Sequence, residues 1–201
     1  MHDRAPPAPP AFTVFDHPRL RAQLRHGRLP AGRHVLRQGD ACGDVFILRR
    51  GLVKLYYVTA EGKEWVKSFI ADQGLFGSRR AQMEGGGSAF AALCLEDSEI
   101  ASAPYAAFLD AVLDEPALAR GLLHFNEWLG LKKEHREYAL LCRSAEERYR
   151  GFLAEEPALA ARLTQADIAR YLGITPIALS RIKRRLAGAA PSRPAVLNPR
   201  R

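Results

Sequence analysis

From about Leu29 to Ala103, short runs of Val, Ile, Leu, Phe and Tyr alternate with turns marked by glycine: "HVLRQGD", "DVFILRRG", "LVKLYYVTAEGKEWVKSFI", "ADQGLFG" and "SAFAALCLEDSEIASA". Many short strands with Gly turns predict an all-β barrel or sandwich. The clearest hairpin is "LVKLYYVTAEGKEWVKSFI", with "AEGK" as its turn. From Tyr105 the apolar period becomes helical. "PYAAFLDAVLDEP" predicts a short helix that stops before Pro116, and a long helix follows over Ala117 to Cys142, about 39 Å at 1.5 Å per residue.

The long helix carries two neighbouring apolar stripes. Leu118, Leu122, Phe125 and Leu129 form one; His124, Trp128, Leu131, His135, Tyr138 and Cys142 form the other. One stripe needs one partner, so two adjacent stripes predict packing on the chain's own barrel and on a second copy of the helix. "AEERYRGFLAEEP" predicts another helix ending at Pro157.

The stretch "LTQADIARYLGITPIALSRIKRRL" then holds two short helices. Thr164 is placed to cap the first, with Asp167 at its third position as a variant capping box, and Gly173 stops it. Thr175 caps the second, and Pro176 occupies its first position, where a missing N–H costs nothing. Two helices joined by a short Gly-containing turn have the spacing of a helix-turn-helix. In the second helix Ile174, Leu179, Ile182 and Leu186 are expected to face inward, and Ser180, Arg181, Lys183, Arg184 and Arg185 outward. Arg181 suits a bidentate contact to guanine. The basic cluster, with Thr164 and Gln165, suits phosphate. Thr175 completes the expected DNA-binding set.

Charge placement supports that reading. The chain has 201 residues and a net charge of +8. From Thr164 to Arg201 there are eight Arg or Lys (170, 181, 183, 184, 185, 193, 200, 201) against one acid, Asp167. A basic end on a near-neutral body points to a polyanion partner there. Composition is ordinary for a soluble chain, and no apolar run approaches the ~18 residues of a membrane span. The Pro-rich start "MHDRAPPAPPAF" lacks the apolar centre of a signal peptide, so a cytoplasmic location and no membrane partner are expected. Cys42, Cys94 and Cys142 form no CxxC pair and are expected as reduced thiols in or near the core. HExxH, GxSxG, P-loop and Cys–His patterns are absent, and the six His have no metal-ligand spacing, so neither an enzyme nor a metal site is expected.

The segments "LPAGRHVLRQGD", "VFILRRGLVKLYY", "EGKE", "LEDSEI" and "LTQADIARYLGITPIALSRIKRRL", with Gly32, Gly39, Gly51, Gly62 and Gly74 at turn positions, resemble the bacterial Crp/Fnr family of transcription regulators. The resemblance runs from about Leu29 to Leu186. It implies an α+β chain: a disordered N-terminus over 1–16, a cyclic-nucleotide-binding-like jelly roll acting as sensor over 17–116, a long dimerisation helix over 117–143, and a winged helix-turn-helix domain over 144–201. It implies a homodimer on a two-fold-symmetric double-stranded DNA site, with RNA polymerase as a further partner. Ser180 and Arg181 match the family's Ser-Arg pair, but Ile177 stands where its glutamate usually lies.

The resemblance implies an effector pocket around Gly77, Ser78, Arg79, Arg80 and Ser88, altered at its centre. The family's signature is Gly-Glu-Leu followed by Arg-Ser, in which Glu holds the ribose and Arg the cyclic phosphate. Here Ser78 replaces the Glu and Gly87 the Arg, so cyclic AMP in the usual manner is not expected; Arg79 or Arg80 is the candidate for another anion. The iron–sulfur branch uses N-terminal cysteines, which are absent. A haem ligand would have to be His124 or His135, residues that a packed helix also accommodates structurally. "AGAAPSRPAVLNPRR" predicts a short or absent wing, with Arg200 and Arg201 on phosphate instead. The alternative to a DNA-binding regulator is a ligand sensor that acts through a protein partner, or a haem-based gas sensor.

Overall fold

The computed structural model describes residues 14–188. A 3-10 turn at Val14–Asp16 and helix α1 (Pro18–Arg21) lead into eight strands. These are β1 (Arg25–Leu29), β2 (His34–Leu36), β3 (Asp44–Arg50), β4 (Val53–Val58), β5 (Glu64–Ile70), β6 (Gly74–Phe76), β7 (Ala91–Cys94) and β8 (Ser98–Pro104), with α2 (Arg79–Met83) after β6. Six helices follow: α3 (Tyr105–Asp114), α4 (Pro116–Cys142), α5 (Ala145–Glu155), α6 (Pro157–Arg162), α7 (Gln165–Tyr171) and α8 (Pro176–Gly188).

The strands make two four-stranded antiparallel sheets, ordered β1-β8-β3-β6 and β2-β7-β4-β5. Leu36, Phe46, Leu48, Val53, Leu55 and Phe76 are among the side chains filling the space between them. The other face of the first sheet, Val45, Ile47, Ala101 and Ala103, packs on α3 and on Leu118 at the start of α4. Phe15 joins this second core against Phe108 and is only 3% exposed. Residues 14–16, expected within a disordered N-terminus, form instead a 3-10 turn tied down by the buried Phe15; residues 1–13 lie outside the described residues. So do Arg200, Arg201 and the expected wing region from residue 189. The "AEGK" hairpin forms as read, closed by Gly62 N–H to Thr59 O (2.9 Å), with Gly62 at φ 76°.

A third core joins the roll to the C-terminal helices. Leu52, Val66 and Phe69 pack with Tyr149, Phe152, Leu163, Ile168, Leu172 and Leu179 among others. This explains why Val53, Lys54, Leu55 and Tyr56 of β4 are all buried, where a one-sided strand would alternate: the sheet's outer face is covered by α7. Lys54 Nζ lies 3.1 Å from Asp167 Oδ1 and 3.6 Å from Glu64 Oε2, with Lys54 and Asp167 side chains only 6% and 8% exposed. Arg170 closes the cluster on Glu64 at 3.1 Å. From α4, Arg136 donates to Val66 O on β5 and to Tyr171 O at the end of α7, both at 2.9 Å, and its guanidinium stacks on the Tyr171 ring.

Removing one partner of a buried pair leaves an uncompensated charge, at a cost of about 3–5 kcal/mol. Lys54→Met is expected to lose that much in denaturant unfolding. The double change Lys54→Met with Asp167→Leu should recover most of it. A single variant as stable as the parent would show that the pair contributes nothing.

Candidate functional site

The two C-terminal helices are held by caps that the local sequence supplies. The Thr164 hydroxyl accepts the Asp167 N–H (3.1 Å) and donates to Asp167 Oδ2 (2.6 Å). Gly173, at φ 70°, ends α7: its N–H reaches Arg170 O at 3.4 Å, and Ile174 N–H reaches Ala169 O at 3.0 Å, a Schellman closure. The Thr175 hydroxyl accepts the Ala178 N–H at 3.2 Å and starts α8. Leu179 and Ile182 are buried, with Ile174 and Leu186 packed against the same core. Gln165, Ile177, Ser180, Arg181, Lys183, Arg184 and Arg185 are exposed.

Among the described residues, Arg181, Lys183 and Arg184 take part in no ion pair. Arg185 differs. It pairs with Glu146 on α5, its Nε 2.9 Å from Oε2, and Arg150 shares that carboxylate at 2.8 Å. The Thr164 and Thr175 hydroxyls are engaged in caps, so these residues shape the motif's backbone.

A cavity of about 420 Å³ lies between the roll and α4. Gly77, Ser78, Arg79 and Arg80 line it; Ser88 does not. Ser88 is buried, and its hydroxyl donates to Phe90 O at 2.7 Å. The fully buried Ser78 hydroxyl accepts the Ala89 N–H at 3.1 Å. At Gly87 a Cβ would sit 2.8 Å from the Gly39 carbonyl carbon and closer still to its oxygen. Backbone bonds Gly39 N–H to Ser88 O and Ser88 N–H to Asp40 O, both 2.8 Å, close this approach. Gly87 thus has no room for any side chain. Arg79 donates to Asn126 Oδ1 of α4 at 2.5 Å.

Sequence reasoning missed Lys67 and Lys133, which also line the cavity. Lys67 sits at a β-bulge: Leu55 pairs with Ser68 and Tyr56 with Val66, leaving Lys67 without a partner on β4. Its Nζ lies over the Phe90 ring, 5.0 Å from the centroid. Burial, and then Lys133, Arg136 and Lys132, push its pKa down to about 8. The one sequence signal was a lysine interrupting an apolar strand.

Residues 27–115 match the cyclic nucleotide-binding domain model. The chain is 27% identical over 189 residues to the transcriptional activator protein Anr of Pseudomonas aeruginosa, across 87% of this chain and 75% of Anr. Its fold is similar to that of FixK2 from Bradyrhizobium japonicum, with TM-score 0.69, 18% identity, and 82% and 85% of the two chains covered. It is also similar to the c-di-GMP responsive global regulator CLP of Xanthomonas campestris, with TM-score 0.70, 18% identity, and 90% and 94% covered. The chain is thus similar, in sequence and in fold, to regulators of the Crp/Fnr type. Against that family's cyclic-nucleotide signature it departs in space as well as in sequence, since Gly87 sits in a backbone contact. The two histidines considered for haem are placed away from the cavity. His124 is exposed, and His135 Nε2 lies 3.5 Å from Glu155 Oε1, so the residues present do not fit a haem held there. Cys42 is part-buried and Cys94 buried, but Cys142 is exposed at the end of α4, against expectation, because among the described residues no element covers that end of the second stripe. No helix among the described residues is long and apolar enough to cross a membrane.

Overpacking a closed backbone contact costs about 1–3 kcal/mol. Gly87→Ala is expected to lower the unfolding free energy by that amount. Unchanged stability would mean that the Gly39–Ser88 contact has slack.

Proposed function

We propose that this chain is a sequence-specific transcription regulator that binds a two-fold-symmetric DNA site as a homodimer. The observation that carries the reading is the capped α8, with its apolar side packed on α7 and a face of Ser180, Arg181, Lys183 and Arg184 turned to solvent. In the major groove, Ser180 and Arg181 read base edges, Arg181 in bidentate fashion on guanine. Lys183, Arg184 and Gln165 hold phosphates. Thr164 and Thr175 set the helix ends, and Arg185 orients α8 through Glu146. Ile177 offers no acceptor to cytosine.

The dimer reading rests on α4. It spans 27 residues, about 40 Å, and Leu118 is its one buried side chain among the described residues. Leu131, Tyr138 and Leu141 are exposed along it, Leu141 at 76%. A second copy of α4 covers this face. The roll then biases the two α8 helices by a population shift, transmitted where Arg136 ties α4 to β5 and α7. The protein acts in the cytoplasm with RNA polymerase as a further partner, through binding and without catalysis.

Selection from genomic DNA with the purified protein tests this. The expected product is a two-fold motif with half-sites one helical turn apart, about 34 Å. Recovery of only input sequences, with or without added cell extract, overturns it. Arg181→Ala should lose about 1–3 kcal/mol of discrimination at one position, while Lys183→Ala weakens all sequences alike and reduces the salt slope by about one. Competition binding across a salt series reads both.

A further inference from the structure

We infer that the cavity between the roll and α4 binds a small organic anion with an apolar body, held by the Lys67 ammonium. Three observations meet there. The bulge turns Lys67 out of the strand ladder and into the cavity, a use bulges often have beside sites. Lys67, Arg79, Arg80 and Lys133 all line the space, and no Asp or Glu does. None of the four forms an ion pair among the described residues, and Arg79 has only the neutral Asn126. The walls are apolar: Phe76, Phe90, Phe108, Leu122, Phe125 and Leu129. A volume of about 420 Å³ suits a small molecule, not a water or a simple ion.

A neutral apolar ligand would deepen the burial of an uncompensated ammonium; an anion supplies the missing charge. A cyclic nucleotide in the family manner is ruled out by the closed contact at Gly87 and by Ser78, whose hydroxyl already serves Ala89. Calling this ligand an effector rests on the regulator reading; its binding does not. Lys67 follows Val66, whose carbonyl accepts Arg136, so an anion acting on Lys67 acts one residue from the tie between roll and α7.

The charged groups around Lys67 are Lys132, Lys133 and Arg136 from α4 and Arg79 and Arg80 from α2, all cationic. Tyr57 of β4 stays protonated because burial raises its pKa. Lys67 has a folded pKa of about 8, below its ordinary value of 10.5, so its charged form costs stability below about pH 8. Removing the charge is therefore compatible with folding, and Lys67→Met should melt no lower than the parent at pH 7.

The test uses two fluorescent probes on the full-length protein, without DNA. One is 1-anilinonaphthalene-8-sulfonate, an aromatic anion whose sulfonate does not titrate. The other is N-phenyl-1-naphthylamine, the same body without the charge. We expect Lys67→Met to weaken the anion at least tenfold and leave the neutral probe unmoved, with Lys67→Arg retaining the anion. In the parent, anion affinity should fall as pH rises from 6.5 to 9.5, and in Lys67→Met it should not. Parent affinity for the anion that is flat across that range overturns the inference, whatever the variant does. So does a Lys67→Met protein that binds the anion as the parent does, or one that loses both probes equally. Because no DNA is present, failure here is separate from failure of the genomic selection.

Discussion

The buried pair between Lys54 and Asp167 is the constraint on which the arrangement of the two halves depends. The apolar contacts around it, Val66 and Phe69 against Ile168 and Leu172, supply attraction but little direction, since such surfaces tolerate sliding. Two charges in a nearly dry interface do not. Sliding α7 by one turn along β4 and β5 would strand an ammonium and a carboxylate apart, each at the cost of its lost hydration. The pair contributes little net stability beyond an apolar substitute, yet it disfavours every other register. Asp167 is suited to this because the same carboxylate already accepts the Thr164 hydroxyl. The residue that shapes the start of the first helix is also the one that docks it.

β5 is where the three parts of the molecule touch. Its outer face, Val66 and Phe69, carries the C-terminal helices. Its backbone at Val66 accepts Arg136 from α4, and its bulge at Lys67 opens on the cavity. Val66 and Lys67 are adjacent, so a change at the cavity need not travel. A displacement of a few tenths of an ångström at the bulge alters the Val66 carbonyl, which shares the Arg136 guanidinium with the Tyr171 carbonyl. The long helix is a natural lever in such a scheme, because among the described residues Leu118 is its one buried side chain.

Much of the C-terminal motif was legible because its signals are local. Thr164, Gly173, Thr175 and Pro176 act on their own backbone neighbours, and the inward set of Leu179 and Ile182 follows from helical period alone. The long helix and the "AEGK" hairpin were readable for the same reason. What escaped depends on partners distant in sequence. Lys54 looks like a solvent-facing residue of an alternating strand until α7, more than a hundred positions away, covers it. Lys67 is aimed by a register shift that no single strand records. Ser88, expected at the pocket, is turned inward by its own bond to Phe90, and Arg185 is captured by Glu146 on another helix. Cys142 ends outside because none of the described elements covers the end of its stripe. Short α2 and α6 carry too few turns to show a period.

The altered signature and the bulge are best understood together. In the family pattern, one Arg on the segment after α2 meets the anionic part of the ligand and a Glu meets its hydroxyls. In this chain that segment is zipped to the loop after β2 by Gly39 and Ser88, leaving no volume at Gly87, and Ser78 has no carboxylate to offer ribose hydroxyls. Had the cavity simply lost its ligand, loss of the cation and filling of the space with apolar side chains would be the expected drift, since an unpaired half-buried ammonium is costly. Instead the space stays open, and Lys67 of β5 brings a positive charge into it beside Arg79 and Arg80. The cavity lacks the phosphate partner of the family pattern but keeps a positive charge, and its apolar walls suit the hydrophobic body of the anion we propose.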